Sequence, residues 1–330
     1  MRNHTLALNV ASVVALALLA ACSGASSNST AMPAGARFSS ANDGSNAEAA
    51  GRRTANSAKK VAQFIFVSDE NANAVNVFAK SSPHGLVRTI TNEIDSPFGL
   101  ALDKGDDLYV TNTDSPSITE YNRGGSTPIF TYSKDLNGPV GVAVDSAGNV
   151  YVDCENGKEV VVYRRHKNNP SRILPLAALP TAIALDSHDN LYVAMLGSSN
   201  GFVYEYAPGS SSPKNLNLDI NGVPLGIAVD SDGNIVLTDN PHQSYGYLLA
   251  LYPSGSQSPK TTLRVPDSLQ NVAFDRAQDK LYVATAFGYP GSAPPGLQIY
   301  DYNRKLLSVK YIGSVPSPCK TYCVGVAVGP

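Results

Sequence analysis

The chain has 330 residues, of which 43% are hydrophobic, enough to build one large domain around a buried core. Its formal net charge is −2, from 25 basic and 27 acidic side chains, so no surplus of positive charge is available to attract nucleic acid. The 27 glycines, 22 prolines and 17 tyrosines are typical of a protein with many short strands joined by tight turns.

The N-terminal 22 residues have the organisation of an export signal. Arg2 supplies a positive charge, and the apolar stretch 6–21 that follows is shorter than the roughly 20 residues of a membrane-spanning helix. The stretch ends in Leu19-Ala-Ala-Cys22, which resembles the lipobox of bacterial lipoproteins. The resemblance implies that residues 1–21 are removed as a signal peptide and that Cys22 becomes a lipid-modified N-terminus. An ordinary secretory signal with a chance cysteine is the alternative.

A polar segment separates this signal from the rest of the chain. Residues 23–60 consist mainly of Ser, Ala, Asn and Gly, with almost no large apolar side chain. Such a segment buries too little apolar surface to offset the entropy lost on folding. We therefore expect lipidated Cys22 and a disordered tether over residues 22–60, and a folded domain over residues 61–330. We expect the chain in the cell envelope, anchored to a bacterial membrane through the lipid and facing the periplasm or the exterior.

An internal repeat dominates the folded region. Five segments share an apolar pattern that ends in Ala-x-Asp, and four of them begin with Pro-x-Gly or Pro-x-Ala: residues 97–103, 139–145, 180–186, 224–230 and 269–275. Their final Asp residues are 42, 41, 44 and 45 positions apart. Each segment is followed by a polar turn, a second strand such as Leu108-Tyr-Val110, a third strand that ends on an aromatic residue, and in several repeats a weaker fourth strand. Four short strands in about 40–45 residues is the period of a β-propeller blade.

The two ends of the domain complete the pattern. The first three apolar segments, 64–67, 75–78 and 86–90, match the second, third and fourth strands of a repeat, and no first strand precedes them. The C-terminal segment 324–328 matches a first strand. We therefore predict an all-β, six-bladed β-propeller of four-stranded blades. Its ring is closed where the C-terminal inner strand joins the three N-terminal strands, which leaves no open sheet edge.

Over about residues 61–330 the pattern resembles the NHL-repeat propellers and, more distantly, the gluconolactonase-like propellers. The resemblance implies the ring but no function, because the same architecture supports lactonases, lyases, sensors and scaffolds. Gluconolactonase-type propellers hold a divalent cation through Glu, Asn and Asp side chains just before the Gly of the inner-strand motif. The matching positions here carry no carboxylate: Phe98, Val140, Thr181, Leu225, Gln270 and Val324. Because a hard cation needs several oxygen ligands, we predict no metal, no cofactor and no lactonase activity at this mouth.

Other residues with catalytic potential fit structural patterns. The repeating Asp residues precede turns in which a short polar side chain bonds backbone amides. The histidines occupy unrelated positions and are assigned to surface turns, and the sequence contains no nucleophile elbow or phosphate loop. Cys319 and Cys323 are disulfide candidates in an oxidising compartment, with two free thiols as the alternative. Cys154 is expected to be a buried thiol. We therefore assign no catalytic residue.

Three long loops belong to neighbouring blades and are predicted to cluster over one sector of the ring: residues 239–246, 286–296 and 313–323. Their aperiodic polar and aromatic residues are the ligand-binding candidates: Asp239, His242, Tyr245, Phe287, Tyr289 and Tyr322. Insertion without function is the alternative reading of these loops. The preferred hypothesis is a monomeric binding or scaffold module for a small molecule, a glycan or an envelope protein, without nucleic acid. A divergent lactonase or lyase and a purely structural domain are the alternatives.

Overall fold

The computed structural model of the chain describes residues 63–82, 84–241, 246–286, 295–315, 318–319 and 322–329. These residues belong to one compact unit, Val61–Pro330. They form 24 β-strands and one short 3-10 helix, Glu70–Ala72. No helix among these described residues has the length and hydropathy needed to cross a membrane.

The strands form six sheets of four, which we number as blades 1 to 6. Blade 1 contains β24 (Cys323–Val328), β1 (Phe64–Asp69), β2 (Ala74–Ala79) and β3 (Leu86–Ile90). Blade 2 contains β4 (Pro97–Leu102), β5 (Leu108–Asn112), β6 (Ser117–Tyr121) and β7 (Pro128–Tyr132). Blade 3 contains β8 (Pro139–Val144), β9 (Val150–Cys154), β10 (Glu159–Tyr163) and β11 (Pro170–Pro175).

The remaining blades follow the same order from the inner strand outward. Blade 4 contains β12 (Leu179–Leu185), β13 (Leu191–Leu196), β14 (Gly201–Tyr206) and β15 (Lys214–Asn215). Blade 5 contains β16 (Gly222–Val229), β17 (Ile235–Pro241), β18 (Tyr247–Tyr252) and β19 (Thr261–Val265). Blade 6 contains β20 (Ser268–Phe274), β21 (Lys280–Ala286), β22 (Gly296–Asn303) and β23 (Ser308–Val315).

These sheets confirm the predicted propeller and the way in which its ring closes. In blade 1 the strand order is β24-β1-β2-β3, so the inner strand comes from the C-terminal segment and the other three from the start of the domain. The β1–β24 pairing is antiparallel, with Ile65 opposite Val328 and Val67 opposite Val326. The hydrophobic core lies between the blades, since its clusters of buried side chains combine residues from neighbouring sheets, such as Val75 of blade 1 with Tyr121 of blade 2.

The glycine of the Pro-x-Gly pattern is explained by the close approach of inner strands around the central channel. A Cβ atom on Gly99 would lie 2.5 Å from the carbonyl oxygen of Val140 in the next blade. A Cβ atom on Gly226 would lie 2.6 Å from the carbonyl oxygen of Gln270. A side chain at either position would therefore force neighbouring blades apart, and only glycine allows the backbones to approach this closely.

The repeating Asp residues stabilise the turns between first and second strands, as the sequence predicted. Oδ1 of Asp103 accepts hydrogen bonds from the N–H groups of Gly105 and Asp107, at 2.7 and 2.9 Å. Asp145, Asp186 and Asp230 accept equivalent bonds, and Asp275 accepts the N–H groups of Asp279 and Lys280, both at 3.2 Å. These turns and the third-to-fourth turns lie on one face of the ring, which we call the lower face. The second-to-third loops and the connections between blades lie on the opposite, upper face.

Tyrosines that end third strands attach neighbouring blades to each other. In three blades the tyrosine hydroxyl donates to a backbone carbonyl oxygen, in the pairs Tyr121 to Asn92, Tyr163 to Lys134 and Tyr252 to Asp219. Each acceptor belongs to the connection that leads from the fourth strand of the preceding blade to the inner strand of the tyrosine's own blade. The buried hydroxyl is thus satisfied by the connection that covers it.

Candidate functional site

The central channel opens on the upper face at the six positions where gluconolactonase-type propellers hold a cation. Four of these side chains are buried and two are half-buried. The two polar ones bond within the protein: Thr181 Oγ1 donates to the carbonyl oxygen of Ala194 at 3.2 Å, and Gln270 Nε2 donates to Ser268 Oγ at 3.0 Å. Within the described part of the chain, no three His, Cys, Asp or Glu side chains are grouped so that they could hold a metal ion. The donor set at this mouth therefore does not fit such a cation.

Hydroxyl groups of the second strands tie neighbouring blades together beside the mouth. Thr111 Oγ1 accepts the N–H of Gly99 in its own blade at 2.6 Å and donates to the carbonyl oxygen of Val140 in the next blade at 2.8 Å. Ser68 and Thr238 hold the same position in blades 1 and 5, and their hydroxyls also donate to an inner-strand carbonyl oxygen of the next blade. At this position of the repeat a hydroxyl group can accept one hydrogen bond within its own blade and donate another to the next blade.

Blade 3 has a carboxyl group, Asp153, at this position. The side chain is fully buried, Oδ1 accepts the N–H of Gly141, and Oδ2 has no hydrogen-bond partner. Burial is the main cause that raises the pKa of Asp153 to about 7, and the nearby Glu155 carboxylate adds to the effect. An un-ionised Asp153 has a hydroxyl and can therefore act as a donor, as Thr111 does in blade 2.

Two of the six ligand-binding candidates lie in the described residues, and both are buried: Asp239 is 4% exposed and Tyr322 is 8% exposed. Asp239 lies within β17, because β16 and β17 pair as far as Gly222 and Pro241, so the first predicted loop begins later than expected. Tyr322 precedes β24, and burial raises the pKa of its hydroxyl. Neither side chain therefore offers an exposed contact surface. His242, Tyr245, Phe287 and Tyr289 lie outside the described residues.

The structure joins Cys319 to Cys323 by a disulfide, with Cα atoms 5.5 Å apart. Both residues are buried with Leu297 and Val315 in the core between blades 6 and 1. The link therefore ties Cys323, the first residue of the strand that closes the ring, to Cys319 in the same core. Cys154 is a free, buried thiol whose pKa is raised to about 12, chiefly by burial, so it behaves as a small apolar residue.

A groove of about 500 Å³ opens between blades 5 and 6. Its walls are apolar side chains and two tyrosines: Leu263, Val265, Pro266, Pro295, Leu297, Val315, Tyr300 and Tyr311. Its polar side chains are Asp267, Thr285, Gln298 and Ser314. Thr285 directly precedes the second predicted loop, Pro295 belongs to that loop and Ser314 to the third, so the groove lies in the sector where those loops were expected to cluster.

A chain of hydrogen bonds runs along one wall of this groove. Gln298 Nε2 donates to Oδ2 of Asp267 at 2.5 Å, and the Tyr300 hydroxyl donates to Gln298 Oε1 at 2.5 Å. Burial raises the pKa of Tyr300, so its hydroxyl keeps its proton and remains a donor. The rings of Tyr300 and Tyr311 meet edge to face with centroids 5.7 Å apart, and Tyr311 is 53% exposed. The groove thus presents aromatic surface close to a buried carboxylate.

A second polar cluster, which the sequence did not predict, lies between blades 2 and 3 on the lower face. Glu120 is fully buried and lies 3.1 Å from His166 Nε2, 3.4 Å from a guanidinium nitrogen of Arg165 and 3.2 Å from the hydroxyl oxygen of Tyr132. The same Arg165 nitrogen lies 2.8 Å from Asp107 Oδ2. Because Glu120 has no exposed surface and contacts three partners, this cluster joins two blades and is not an open site.

Comparison with solved structures shows the same fold in proteins of different kinds. A nidogen/laminin complex matches with a TM-score of 0.65 and 17% identity over 81% of this chain and 98% of that chain. A protein of unknown function from Bacteroides caccae matches with a TM-score of 0.60 and 14% identity over 81% and 98%. A streptogramin B lyase matches with a TM-score of 0.54 and 12% identity over 75% and 78%. A scan of protein-family models and a search of curated proteins find no match.

Proposed function

We propose that this chain is a cell-envelope lipoprotein whose propeller binds a ligand or an envelope protein at the upper face of blades 5 and 6. The groove beside Tyr300 and Tyr311 carries the proposal, because a cleft of about 500 Å³ with mainly apolar walls and a few polar groups has the usual form of a binding site. The lipobox-like segment that ends at Cys22 supports the envelope location. The polar segment 23–60 would allow the propeller to meet partners away from the membrane surface.

A binding role accounts for the described residues better than catalysis does. The channel mouth carries Phe98, Val140 and Leu225 where a hydrolytic metal site needs oxygen ligands. The contact between Glu120 and His166 lies away from the mouth, and Glu120 is fully buried. The fold does not distinguish binding from catalysis, because both a lyase and a protein of a nidogen/laminin complex share it. The side chains at the mouth and in the groove favour binding over catalysis.

Site-specific photo-crosslinking in intact cells tests this proposal. A photoreactive residue replaces Ser314, which is exposed at the edge of the groove. In the control chain it replaces Ser212, which is exposed in the turn between the third and fourth strands of blade 4. We expect a discrete crosslinked product from position 314 and none from position 212. Mass spectrometry of the peptide that contains residue 314 then identifies the bound species.

Comparison with position 212 distinguishes specific binding at the groove from non-specific contact. Equal crosslinking from both positions would indicate non-specific contact and contradict a site at blades 5 and 6. Failure to crosslink from position 314, in chains that are present at the wild-type level, would contradict it as well. Crosslinking from position 314 that disappears when Leu263→Trp fills the groove would tie the bound species to the groove itself.

A further inference from the structure

Blade 1 differs from the other five blades in how its two inner strands are connected. In blades 2 to 6 a turn on the lower face joins the first strand to the second. In blade 1 these strands are β24 and β1, which come from opposite ends of the domain, so no turn joins them. Hydrogen bonds of the sheet and contacts with neighbouring blades must therefore hold β24 against β1.

Elsewhere on the lower face, turns of neighbouring blades bond to each other directly. Ser146 follows the repeating Asp of blade 3, and its N–H donates to Asp189 Oδ1 in the turn of blade 4 at 2.8 Å. Ser231 holds the same position in blade 5, and its N–H donates to Gln278 Oε1 in the turn of blade 6 at 2.9 Å. Asp189 and Gln278 are the residues with left-handed backbone in their turns, with φ of 61° and 53°. The same two turn positions thus link neighbouring blades at two junctions of the ring.

At blade 1 these two turn positions are linked across an intervening blade. Arg276 follows the repeating Asp of blade 6, and Asp106 is the left-handed residue in the turn of blade 2, with φ of 67°. Arg276 Nη2 lies 2.9 Å from Asp106 Oδ1, so the pair joins the two blades that flank blade 1. Both residues line the central channel. Arg123 in blade 2 holds the other carboxylate oxygen of Asp106 at 3.2 Å.

A second ion pair joins blade 1 itself to blade 6. In blades 3, 4 and 5, Oδ2 of the repeating Asp accepts the side-chain amide of an Asn that ends the same turn, at 2.7–2.8 Å. The turn of blade 6 is one residue longer and ends at Lys280. Here Oδ2 of Asp275 pairs instead with Nζ of Lys80 in blade 1, at 2.9 Å. The N–H of Lys80 donates to the carbonyl oxygen of Gln63, directly before β1, so the pair lies at the lower end of blade 1.

The two ion pairs differ in exposure and therefore in their response to salt. The side chains of Lys80 and Asp275 are 13% and 3% exposed, so dissolved ions screen their attraction little. Removal of Lys80 would leave a buried carboxylate without its counter-ion, which is strongly destabilising. Arg276 is 57% exposed, so its attraction to Asp106 weakens at high ionic strength.

We propose that the pairs Lys80–Asp275 and Arg276–Asp106 form an ionic clasp over blade 1, and that unfolding of the propeller begins when the clasp opens and β24 leaves β1. Arg276 and Asp106 are 170 positions apart in the chain. Contacts between such distant residues form late in folding, because closing a long loop costs entropy. The clasp is therefore absent from the transition state. Its loss should raise the unfolding rate and leave the refolding rate unchanged.

Unfolding and refolding rates of the full chain in urea, followed by circular dichroism, test the inference. Because urea carries no charge, the ionic strength can be varied independently. Lys80→Gln should raise the unfolding rate at least about tenfold. Arg276→Gln should raise it about two- to fivefold in about 0.1 M NaCl and leave it unchanged in about 1 M NaCl, where the Debye length is about 3 Å. Lys214→Gln is the control, because it removes an exposed ion pair within blade 4, and it should change the rate less than about twofold.

The rates distinguish a clasp from ordinary surface charges. Lys80→Arg keeps the positive charge and should unfold at close to the wild-type rate. If Lys80→Gln does not fold, the salt series of Arg276→Gln decides the question. Unfolding rates of Lys80→Gln and Arg276→Gln that change no more than that of Lys214→Gln would overturn the inference. Slower refolding with unchanged unfolding would contradict it as well, because the pairs would then form before the rate-limiting step.

Discussion

Replacing Asp153 with threonine should make the stability of the propeller less dependent on pH. The pKa of Asp153 is about 7 in the folded protein, against an ordinary value of 3.8. Because the folded-state pKa is the higher one, the native state holds a proton that the unfolded chain releases. This contribution to stability is complete below about pH 4 and is lost as the pH rises through about 7.

The size of the effect follows from the shift. A difference of about three pKa units corresponds to about 4 kcal/mol between the low-pH and high-pH limits. Between about pH 5 and pH 8 the wild-type protein should lose about 2–3 kcal/mol of unfolding free energy through this one group. Threonine is the residue that blades 2 and 5 carry at this position, as Thr111 and Thr238. Asp153→Thr should therefore keep an acceptor for the N–H of Gly141 and remove the titration.

Urea unfolding followed by circular dichroism at a series of pH values provides the measurement. The informative quantity is the difference in unfolding free energy between wild type and Asp153→Thr, because the contributions of distant titrating groups largely cancel in it. The difference should move in favour of the variant by about 2–3 kcal/mol as the pH rises from about 5 to 8. Parallel stability curves would show that Asp153 does not titrate in this range and would refute the reasoning.

Three further predictions concern the anchor, the ring closure and the channel mouth. Cys22→Ala should abolish palmitate-type labelling and release the chain from the membrane fraction or leave it unprocessed; unchanged labelling and fractionation would exclude lipidation at Cys22. Deleting residues 324–330 should unfold the domain, because it removes the strand that pairs with β1, and the loss should exceed the domain's stability of about 5–15 kcal/mol. A truncated chain that melts cooperatively near the wild-type temperature would disprove the closure argument. Calcium, zinc and manganese should neither bind stoichiometrically at micromolar concentration nor activate lactone hydrolysis, because Phe98, Val140 and Leu225 offer no oxygen ligand at the mouth. Metal binding that starts hydrolysis would favour the enzyme alternative.

The sequence predicted the architecture well because its evidence is local and repeated. The apolar strands, the Asp that ends each inner-strand segment and the turn residues recur once per blade, and together they define six blades. Ring closure was predicted because 64–67 continues a repeat whose first strand occurs only at 324–328. The end of β17 was not predicted, because its pairing with Gly222 and Val223 extends a strand through a segment without clear alternation.

The groove could not be predicted, because it depends on what covers the gap between two sheets. The two-residue connection between Val265 and Ser268 is not a clear signal, because only three residues separate Pro175 from Leu179. The groove becomes visible only when the blades are placed side by side. The raised pKa of Asp153 could not be predicted from the sequence either. Alignment with Thr111 marks the position, but the raised pKa depends on complete burial, which no repeat pattern shows.

The pairing of β24 with β1, which closes the ring in blade 1, also determines when the domain can become stable during synthesis. Strand β1 emerges from the ribosome among the first residues of the domain, yet its partner β24 emerges about 260 residues later. Until then the inner edge of β1 is unpaired and the core between blades 6 and 1 lacks one wall. Contacts at such a sequence separation are slow to form. Five blades can be assembled from neighbouring segments, but the nascent domain stays open until its final strand arrives.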